Sequence, residues 1–285
     1  MKTILLPTDF SDYSRNAISY ALQLYKKEAC HFQLLHVYKV RDYEESSRLT
    51  PKPAPGVLEK ARERINIELK QLVEDLKNKS PNKDQGFGFT SANKPLVPAV
   101  REAILKYKAD LVVIGTHGHT GDTEVVYGSN TVNLMEEIKR CPILAIPGHV
   151  QFHSLKEIVL AHGFKSELIP KDLNFLVQLS QNFDAPIRIL HIMEEGGLND
   201  RQKENREWIL EHLREQQADH SFHSLEFLNI PLGIYAFTES RGSDLIAFIN
   251  KKHSLLENLL FDPLYKNLAH FSKVPVLILH QPDEK

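Results

Sequence analysis

Cysteine is scarce in this sequence. Only Cys30 and Cys141 occur among 285 residues. Two cysteines far apart in the chain exclude a disulfide framework and a cysteine-rich metal site. We expect both to be small buried hydrophobic residues.

Long apolar runs and an excess of charge are also missing. No run approaches the roughly 18 residues of a membrane span, and the first one, residues 4–6, is cut off by Pro7-Thr8-Asp9, too early for a signal-peptide core. The 35 Lys and Arg residues nearly balance 37 Asp and Glu residues. This balance gives no global electrostatic reason to bind nucleic acid or an anionic membrane. We expect a cytoplasmic protein with neither of these partners.

The apolar pattern of the first half alternates between strand and helix. Five short apolar runs with the character of buried strands lie at residues 3–7, 32–37, 87–90, 111–114 and 143–146. Apolar residues at helical spacing separate them, as in the long amphipathic stretch 58–76. The alternation predicts an α/β fold: a five-stranded parallel sheet with helices on both faces and right-handed crossovers.

A glycine-framed loop follows the fourth of these strands. Gly115 and Gly118 precede a nine-residue gap and then Gly128-Ser129. Glycines let the backbone turn sharply and approach a ligand without a Cβ in the way. Ser129 stands where a helix begins, so unpaired N–H groups and the positive end of the helix dipole face outward. This arrangement favours an anion, most often a phosphate.

The spacing Gly-x2-Gly-x9-Gly-Ser resembles the nucleotide-binding signature of the universal stress protein family, specifically its ATP-binding branch. Residues 7–11 resemble the first-strand motif of that family. The loop is neither a Walker A sequence nor a dinucleotide fingerprint. The resemblance implies an adenine nucleotide α-hydrolase-like, Rossmann-like fold. It also implies ATP or another adenine nucleotide as the ligand, with Mg²⁺ as a further candidate.

The resemblance also assigns roles to residues. Asp9 would contact the ribose, Val37 would bind adenine through its backbone, Ile114 would pack near the base, and the glycine loop with Ser129 would hold the phosphates. These residues fall at carboxyl ends of strands, where ligands bind in such sheets. The complete set of predicted nucleotide-binding residues is Pro7, Thr8, Asp9, Val37, Ile114, Gly115, Thr116, His117, Gly118, Gly128, Ser129 and Asn130. We predict no catalytic residue and no metal ligand.

The charge of the loop opposes this assignment in part. Many family members carry a basic residue after the second glycine, and His119 stands there in this chain, followed by Asp122 and Glu124. The two carboxylates would repel a polyphosphate unless they hold Mg²⁺ through water. His117 is expected to fill the loop, and the role of His119 stays open.

The second half repeats the first. Residues 158–160, 190–191, 244–245 and 275–277 resemble earlier segments at offsets of 154, 155, 134 and 133. The length is also typical of two domains. We therefore predict tandem domains at 1–148 and 152–285, each a five-stranded parallel sheet with helices on both faces.

The second copy is expected to lack the nucleotide site. Gly163 stands at the position that matches Asp9, and no glycine follows Ile249 in the segment that matches the loop. We predict that this domain keeps the fold and covers an apolar surface of the first. That would be an intramolecular version of the dimers common in the family. A homodimer is a further option.

Several histidines are expected to have structural roles and not to bind a ligand or metal. His149 with His153, and His220 with His223, have the spacing of short metal pairs but no further ligands nearby, so we expect surface residues. His36 and His191 occupy equivalent strand ends. For these we expect buried rings with backbone partners.

Three functions compete at this point. The first is a stress-associated regulatory protein that binds adenine nucleotide and contacts an unidentified protein. The second is a slow ATPase or phosphoryl-transfer enzyme that uses the same crevice, and the third is a nucleotide-free scaffold. Phosphoryl transfer needs Lys, Arg or a metal near the transferred group, and no Lys or Arg lies between Asp110 and Ser129. The sequence therefore favours the first.

Overall fold

The molecule is built on one ten-stranded β-sheet with helices on both faces. The structure, a computed structural model, describes residues 1–38, 56–80, 82–116, 129–193, 196–226, 229–250 and 274–280. The segment 39–55, between the second strand and the second helix, lies outside these residues.

The first half contains the five strands and four helices that the sequence predicts, in the predicted order. Ser11 caps the first helix by accepting a hydrogen bond from the Ser14 backbone N–H. The elements are β1 (Lys2–Pro7), α1 (Asp12–Leu24), β2 (Cys30–Val37), α2 (Val57–Lys79), β3 (Gly86–Ala92), α3 (Leu96–Tyr107), β4 (Leu111–Thr116), α4 (Ser129–Glu137) and β5 (Ile143–Pro147).

The second half repeats this order as far as the structure describes it. The segment 251–273, between its last two strands, lies outside the described residues. The elements are β6 (Ile158–Ala161), α5 (Pro170–Phe183), β7 (Ile187–Ile192), α6 (Asp200–Glu215), β8 (His220–Leu225), α7 (Ile230–Arg241), β9 (Leu245–Asn250) and β10 (Val276–His280).

The strand order is β3-β2-β1-β4-β5-β10-β9-β6-β7-β8. Strands pair in parallel within each half, and β5 pairs with β10 in antiparallel orientation, with Leu144 opposite Leu277. The two five-stranded parallel sheets therefore join edge to edge in one continuous sheet. In the first half the order reverses between β1 and β4, since β1 pairs with both β2 and β4. This is the point at which such sheets bind ligands.

Matching hydrogen bonds confirm the internal repeat. The Thr8 N–H donates to the Leu35 carbonyl at 2.9 Å, and the His162 N–H donates to the Leu190 carbonyl at 3.0 Å. One residue further on, Asp9 is matched by Gly163, as the sequence offset predicts. The next residue is a phenylalanine with positive φ in both halves, 64° at Phe10 and 56° at Phe164.

The rings of His36 and His191 are buried and bound to the backbone, as predicted. Nδ1 of His36 lies 2.8 Å from the Thr8 carbonyl oxygen, and Nδ1 of His191 lies 3.0 Å from the His162 carbonyl oxygen. Each ring therefore holds the turn that follows the first strand of its half.

Side chains as well as strands join the two halves. The Phe152 ring packs edge-on against Tyr20 at 5.0 Å and against Phe183 at 5.7 Å between ring centroids. The Asn182 side chain donates to the Glu28 carboxylate at 2.9 Å. The second half thus covers an apolar edge of the first.

Both cysteines are buried and free, as expected. Burial is the main cause that raises the pKa of Cys30 to about 11. Burial also raises the pKa of Cys141, whose sulfur lies 3.3 Å from the Ala109 carbonyl oxygen. Both thiols are therefore protonated at neutral pH.

Candidate functional site

A crevice of about 230 Å³ opens at the carboxyl ends of β1 and β4. Segments far apart in sequence meet there because parallel strands end at the same edge of the sheet. Its described walls are formed by Pro7, Thr8, Asp9, Ser11, Tyr13, Ser14, Val37, Leu96, Ile114, Gly115, Asn130 and Thr131.

The turn after β1 is held in one conformation by hydrogen bonds. Thr8 is buried, and its Oγ1 accepts from the Phe10 N–H at 3.1 Å and lies 3.0 Å from Oγ of Ser14. Phe10 has a φ of 64°, which is unusual for a residue with a side chain. The hydrogen bonds of Thr8 and the packing of the Phe10 ring on His36, at 4.7 Å between ring centroids, stabilise this backbone conformation. Asp9 is therefore fixed at the mouth of the crevice.

The Asp9 carboxylate is exposed and kept ionised by Ser11. Oδ1 accepts from the Ser11 backbone N–H at 3.0 Å and from the Ser11 hydroxyl at 2.5 Å. Partial burial alone would raise the pKa of Asp9, but these hydrogen bonds outweigh it and hold the pKa below its ordinary value. At neutral pH the described walls of the crevice therefore carry one fixed negative charge, which accepts hydrogen bonds.

The opposite wall of the crevice is apolar. Val37 ends β2, Leu96 begins α3, and Ile114 lies near the end of β4. Apolar walls beside one hydrogen-bonding carboxylate suit a ligand in which a flat ring is attached to a group that carries hydroxyls.

Gly115 lines the crevice but makes no turn, in contrast to the expectation for the start of the glycine loop. It lies inside β4, which extends to Thr116, and its φ is not positive, so it makes no turn. A Cβ at this position would lie 2.6 Å from the carbonyl carbon of Tyr13 and 3.0 Å from the Ser14 nitrogen. The glycine is needed because the first turn of α1 packs directly on β4. Thr116 is buried in the strand and does not line the crevice.

α4 closes the crevice on the remaining side. It begins at Ser129, and its next two residues, Asn130 and Thr131, line the crevice. The Thr131 hydroxyl lies 3.5 Å from the Gly115 carbonyl oxygen, a long hydrogen bond that ties the helix to β4. The first backbone N–H groups of α4 are those that the helix itself leaves unpaired.

The structure brings together seven of the twelve predicted residues: Pro7, Thr8, Asp9, Val37, Ile114, Gly115 and Asn130. His117, Gly118 and Gly128 lie outside the described residues, as do His119, Asp122, Glu124 and the side chain of Ser129.

Sequence reasoning missed five wall residues. Tyr13 and Ser14 lie in the first turn of the helix after β1, and Leu96 begins the helix after β3, so the position of each was the available signal. Ser11 was recognised only as a helix cap. No sequence signal pointed to Thr131, because nothing distinguishes it from other polar residues in the first turn of a helix.

The matching place in the second half is almost closed, with a cavity of about 10 Å³, at most about the space of one water molecule. Ile192 stands at the position of Val37, and Ile234 of α7 also fills the space. Side chains of α6 bind the turn after β6: Gln202 donates to the Gly163 carbonyl at 2.9 Å and Asn205 to the Phe164 carbonyl at 2.8 Å. The segment that matches the glycine loop lies outside the described residues.

Among the described residues no group of three or more His, Cys, Asp or Glu side chains could hold a metal ion. His220 and His223 instead bind neighbours within the chain, the Ala218 carbonyl and the Ser221 hydroxyl. In the same part of the chain no helix is long and apolar enough to cross a membrane.

Comparisons with known proteins agree with this architecture. A model of the universal stress protein family matches residues 1–147. A universal stress protein of Methanocaldococcus jannaschii is 29% identical over 153 residues, which cover 51% of this chain and 94% of that protein. One of Synechocystis is 26% identical over 298 aligned residues, covering 97% of this chain and 99% of that protein. The crystal structure of a universal stress protein from Archaeoglobus fulgidus has a TM-score of 0.68 at 15% identity and covers 99% of this chain and 97% of its own, so the fold is shared throughout.

Proposed function

This chain belongs to the universal stress protein family, and from that premise we propose that it is a stress-associated regulatory protein that binds one adenine nucleotide, ATP or a related one, in the crevice of its first half. The observation that carries the proposal is the contrast between the two halves. The first crevice is open, at about 230 Å³, and contains Asp9. The second is closed, at about 10 Å³, and has Gly163 instead.

The described walls fit an adenosine group. Adenine would lie between Val37, Leu96 and Ile114, with its polar edge against the backbone at the end of β2. Ser11 donates two hydrogen bonds to Oδ1 of Asp9, and the same carboxylate would accept a further hydrogen bond from a ribose hydroxyl. The phosphates would extend toward the start of α4, where unpaired N–H groups favour an anion.

Binding with regulatory output explains the site better than phosphoryl transfer does. No Lys, Arg or His occurs among the described wall residues, and residues 111–128 contain no Lys or Arg. A transferred phosphoryl group would therefore find no side-chain cation on these walls to stabilise its developing charge.

We assign the second half, residues 152–285, a structural role beside a binding domain at 1–148. Its closed crevice, its pairing through β10 and its aromatic contacts with α1 support this division. The exposed faces of the pair remain available for a protein partner that responds to nucleotide occupancy.

Titration calorimetry of the full chain with ATP, with and without Mg²⁺, tests the proposal. Asp9→Ala removes a charged acceptor, and hydrogen bonds to charged groups contribute ~1.5–3 kcal/mol, so we expect affinity to fall roughly 10- to 100-fold. The matched control is Lys165→Ala beside the closed crevice, which should leave affinity unchanged. Equal affinities for wild type and Asp9→Ala, or a loss in the control alone, would overturn the assignment.

A further inference from the structure

β3 is an edge strand whose own sequence and described neighbours give it little of the usual protection against pairing. Among the described residues it pairs only with β2. It has seven residues, nearly as many as the eight of β2, and its sequence Gly-Phe-Gly-Phe-Thr-Ser-Ala contains no charge and no proline. Natural edge strands are usually short, charged, bulged or interrupted by proline, because a long plain edge recruits another strand.

The register of β3 shows which of its backbone groups have no partner strand among the described residues. Tyr38 donates its N–H to the Ala92 carbonyl at 3.0 Å, and Val37 lies opposite Ala92. Backbone groups of successive strand residues point in opposite directions. Those of Thr90 and Ala92 therefore face β2, and those of Phe87, Phe89 and Ser91 point away from the sheet.

The sequence of β3 is complementary to itself. In an antiparallel pair centred on Phe89, the large residue Phe87 lies opposite the small Ser91 of the second strand, and the reverse holds at the other end. Thr90 and Ala92 lie opposite glycines, and Phe89 lies opposite its own copy. Large side chains thus meet small ones, and the central aromatic pair is a favourable cross-strand contact.

Charges beyond the ends of the strand are complementary in the same arrangement. Asp84, in the turn before β3, and Lys94, two residues after β3, come to the same end of the antiparallel pair from the two copies, and this holds at both ends. Asp84 is exposed, and the Lys94 ammonium, 37% exposed, binds both oxygens of Glu102 at 2.8 and 2.6 Å. An ammonium has three donors, so Lys94 can also bind a second carboxylate.

From these observations we propose that β3 is a homodimerisation edge: two copies of this chain pair antiparallel through β3, centred on Phe89, and extend the ten-stranded sheet across a twofold axis. The other outer strand, β8, is less suited to this, because Asp219 and Glu226 flank it with like charges that would approach each other in an antiparallel copy. The contact is independent of the nucleotide crevice, which lies at the far side of β2.

Sedimentation equilibrium of the full chain measures the proposed association directly. Ser91→Pro deletes an N–H that points away from β2, so it blocks an added strand while leaving the β2 ladder intact. We expect wild type to form dimers and the variant to dissociate at least tenfold more readily, because two hydrogen bonds are lost per dimer. Ser91→Ala, which loses only the hydroxyl bond to Asn66, should dimerise as wild type does. A monomeric wild type, or an unaffected dimer in Ser91→Pro, overturns the proposal.

A charge exchange tests the register without relying on proline. Asp84→Lys places like charges opposite each other at both ends, so we expect dimerisation to weaken roughly tenfold. Adding Lys94→Asp should restore most of it, and both effects should shrink at high salt. If the double variant is weaker than the single one, the twofold register is wrong.

Discussion

Replacing Glu157 by Gln should destabilise the protein strongly and only above acidic pH. Glu157 precedes β6, and its carboxylate is 12% exposed. Arg188 donates to it at 3.0 Å, Arg241 at 2.8 and 2.6 Å, and Ser243 at 2.8 Å. These bonds tie β6, β7 and the end of α7 together in the second half.

The expected magnitude follows from the pKa of this carboxyl. Burial alone would raise it, but the hydrogen bonds from Arg241, Ser243 and Arg188 bring the pKa of Glu157 from 4.5 to about 2. Such a fall corresponds to ~3 kcal/mol of folding free energy at pH 7. The range of ~3–5 kcal/mol for breaking a buried ion pair agrees with this.

The pH dependence has a definite sign. A pKa that is lower in the folded state stabilises the protein above the unfolded value, near 4.5, and this contribution is lost as the pH falls towards 2. Urea unfolding of wild type and Glu157→Gln should therefore differ by ~3 kcal/mol at pH 7 and hardly at all near pH 2. The control is Glu207→Gln, since the Glu207 carboxylate is 64% exposed beside Arg206 and such pairs contribute less than ~1 kcal/mol. A difference below 1 kcal/mol at pH 7, or one that is the same at both pH values, would refute the reasoning.

Two further predictions concern buried packing. Gly115→Ala should lower the free energy of unfolding by ~1–3 kcal/mol or more, because the alanine Cβ would lie 2.6 Å from the Tyr13 carbonyl carbon. An unchanged thermal midpoint would contradict the contact between α1 and β4. The pKa of Cys30 is raised to about 11, so only about one thiol in a thousand is ionised at pH 8. Cys30 should therefore react with a disulfide reagent at that pH several hundred-fold more slowly than free cysteine does. Full reactivity without denaturant would show that Cys30 is not buried.

The architecture was predictable because it depends on periodicity and repetition. Apolar runs and helical spacing gave the order of strands and helices in the first half, and the offset of 154 placed Gly163 opposite Asp9. The edge-to-edge union of β5 with β10 was not predictable, because an exposed edge and a paired edge have the same apolar residues. Only the register, with Leu144 opposite Leu277, shows the pairing.

The candidate site was predictable in outline and less so in detail. Asp9, Val37 and Ile114 follow from their positions at strand ends. The packing of Gly115 against the backbone of Tyr13 was not predictable, because the sequence gives no sign of that contact. The filling of the second crevice by Ile234 also needs coordinates, since an isoleucine on a helix gives no sign of which space it fills.

The most direct test of the account is the amount of nucleotide that the purified full chain retains. The protein is saturated with ATP, freed of excess ligand, denatured, and the released small molecules are quantified by mass spectrometry. The account predicts close to one adenine nucleotide per chain from wild type and almost none from Asp9→Ala. Two nucleotides per chain, or an equal yield from both proteins, would contradict a single site in the first half.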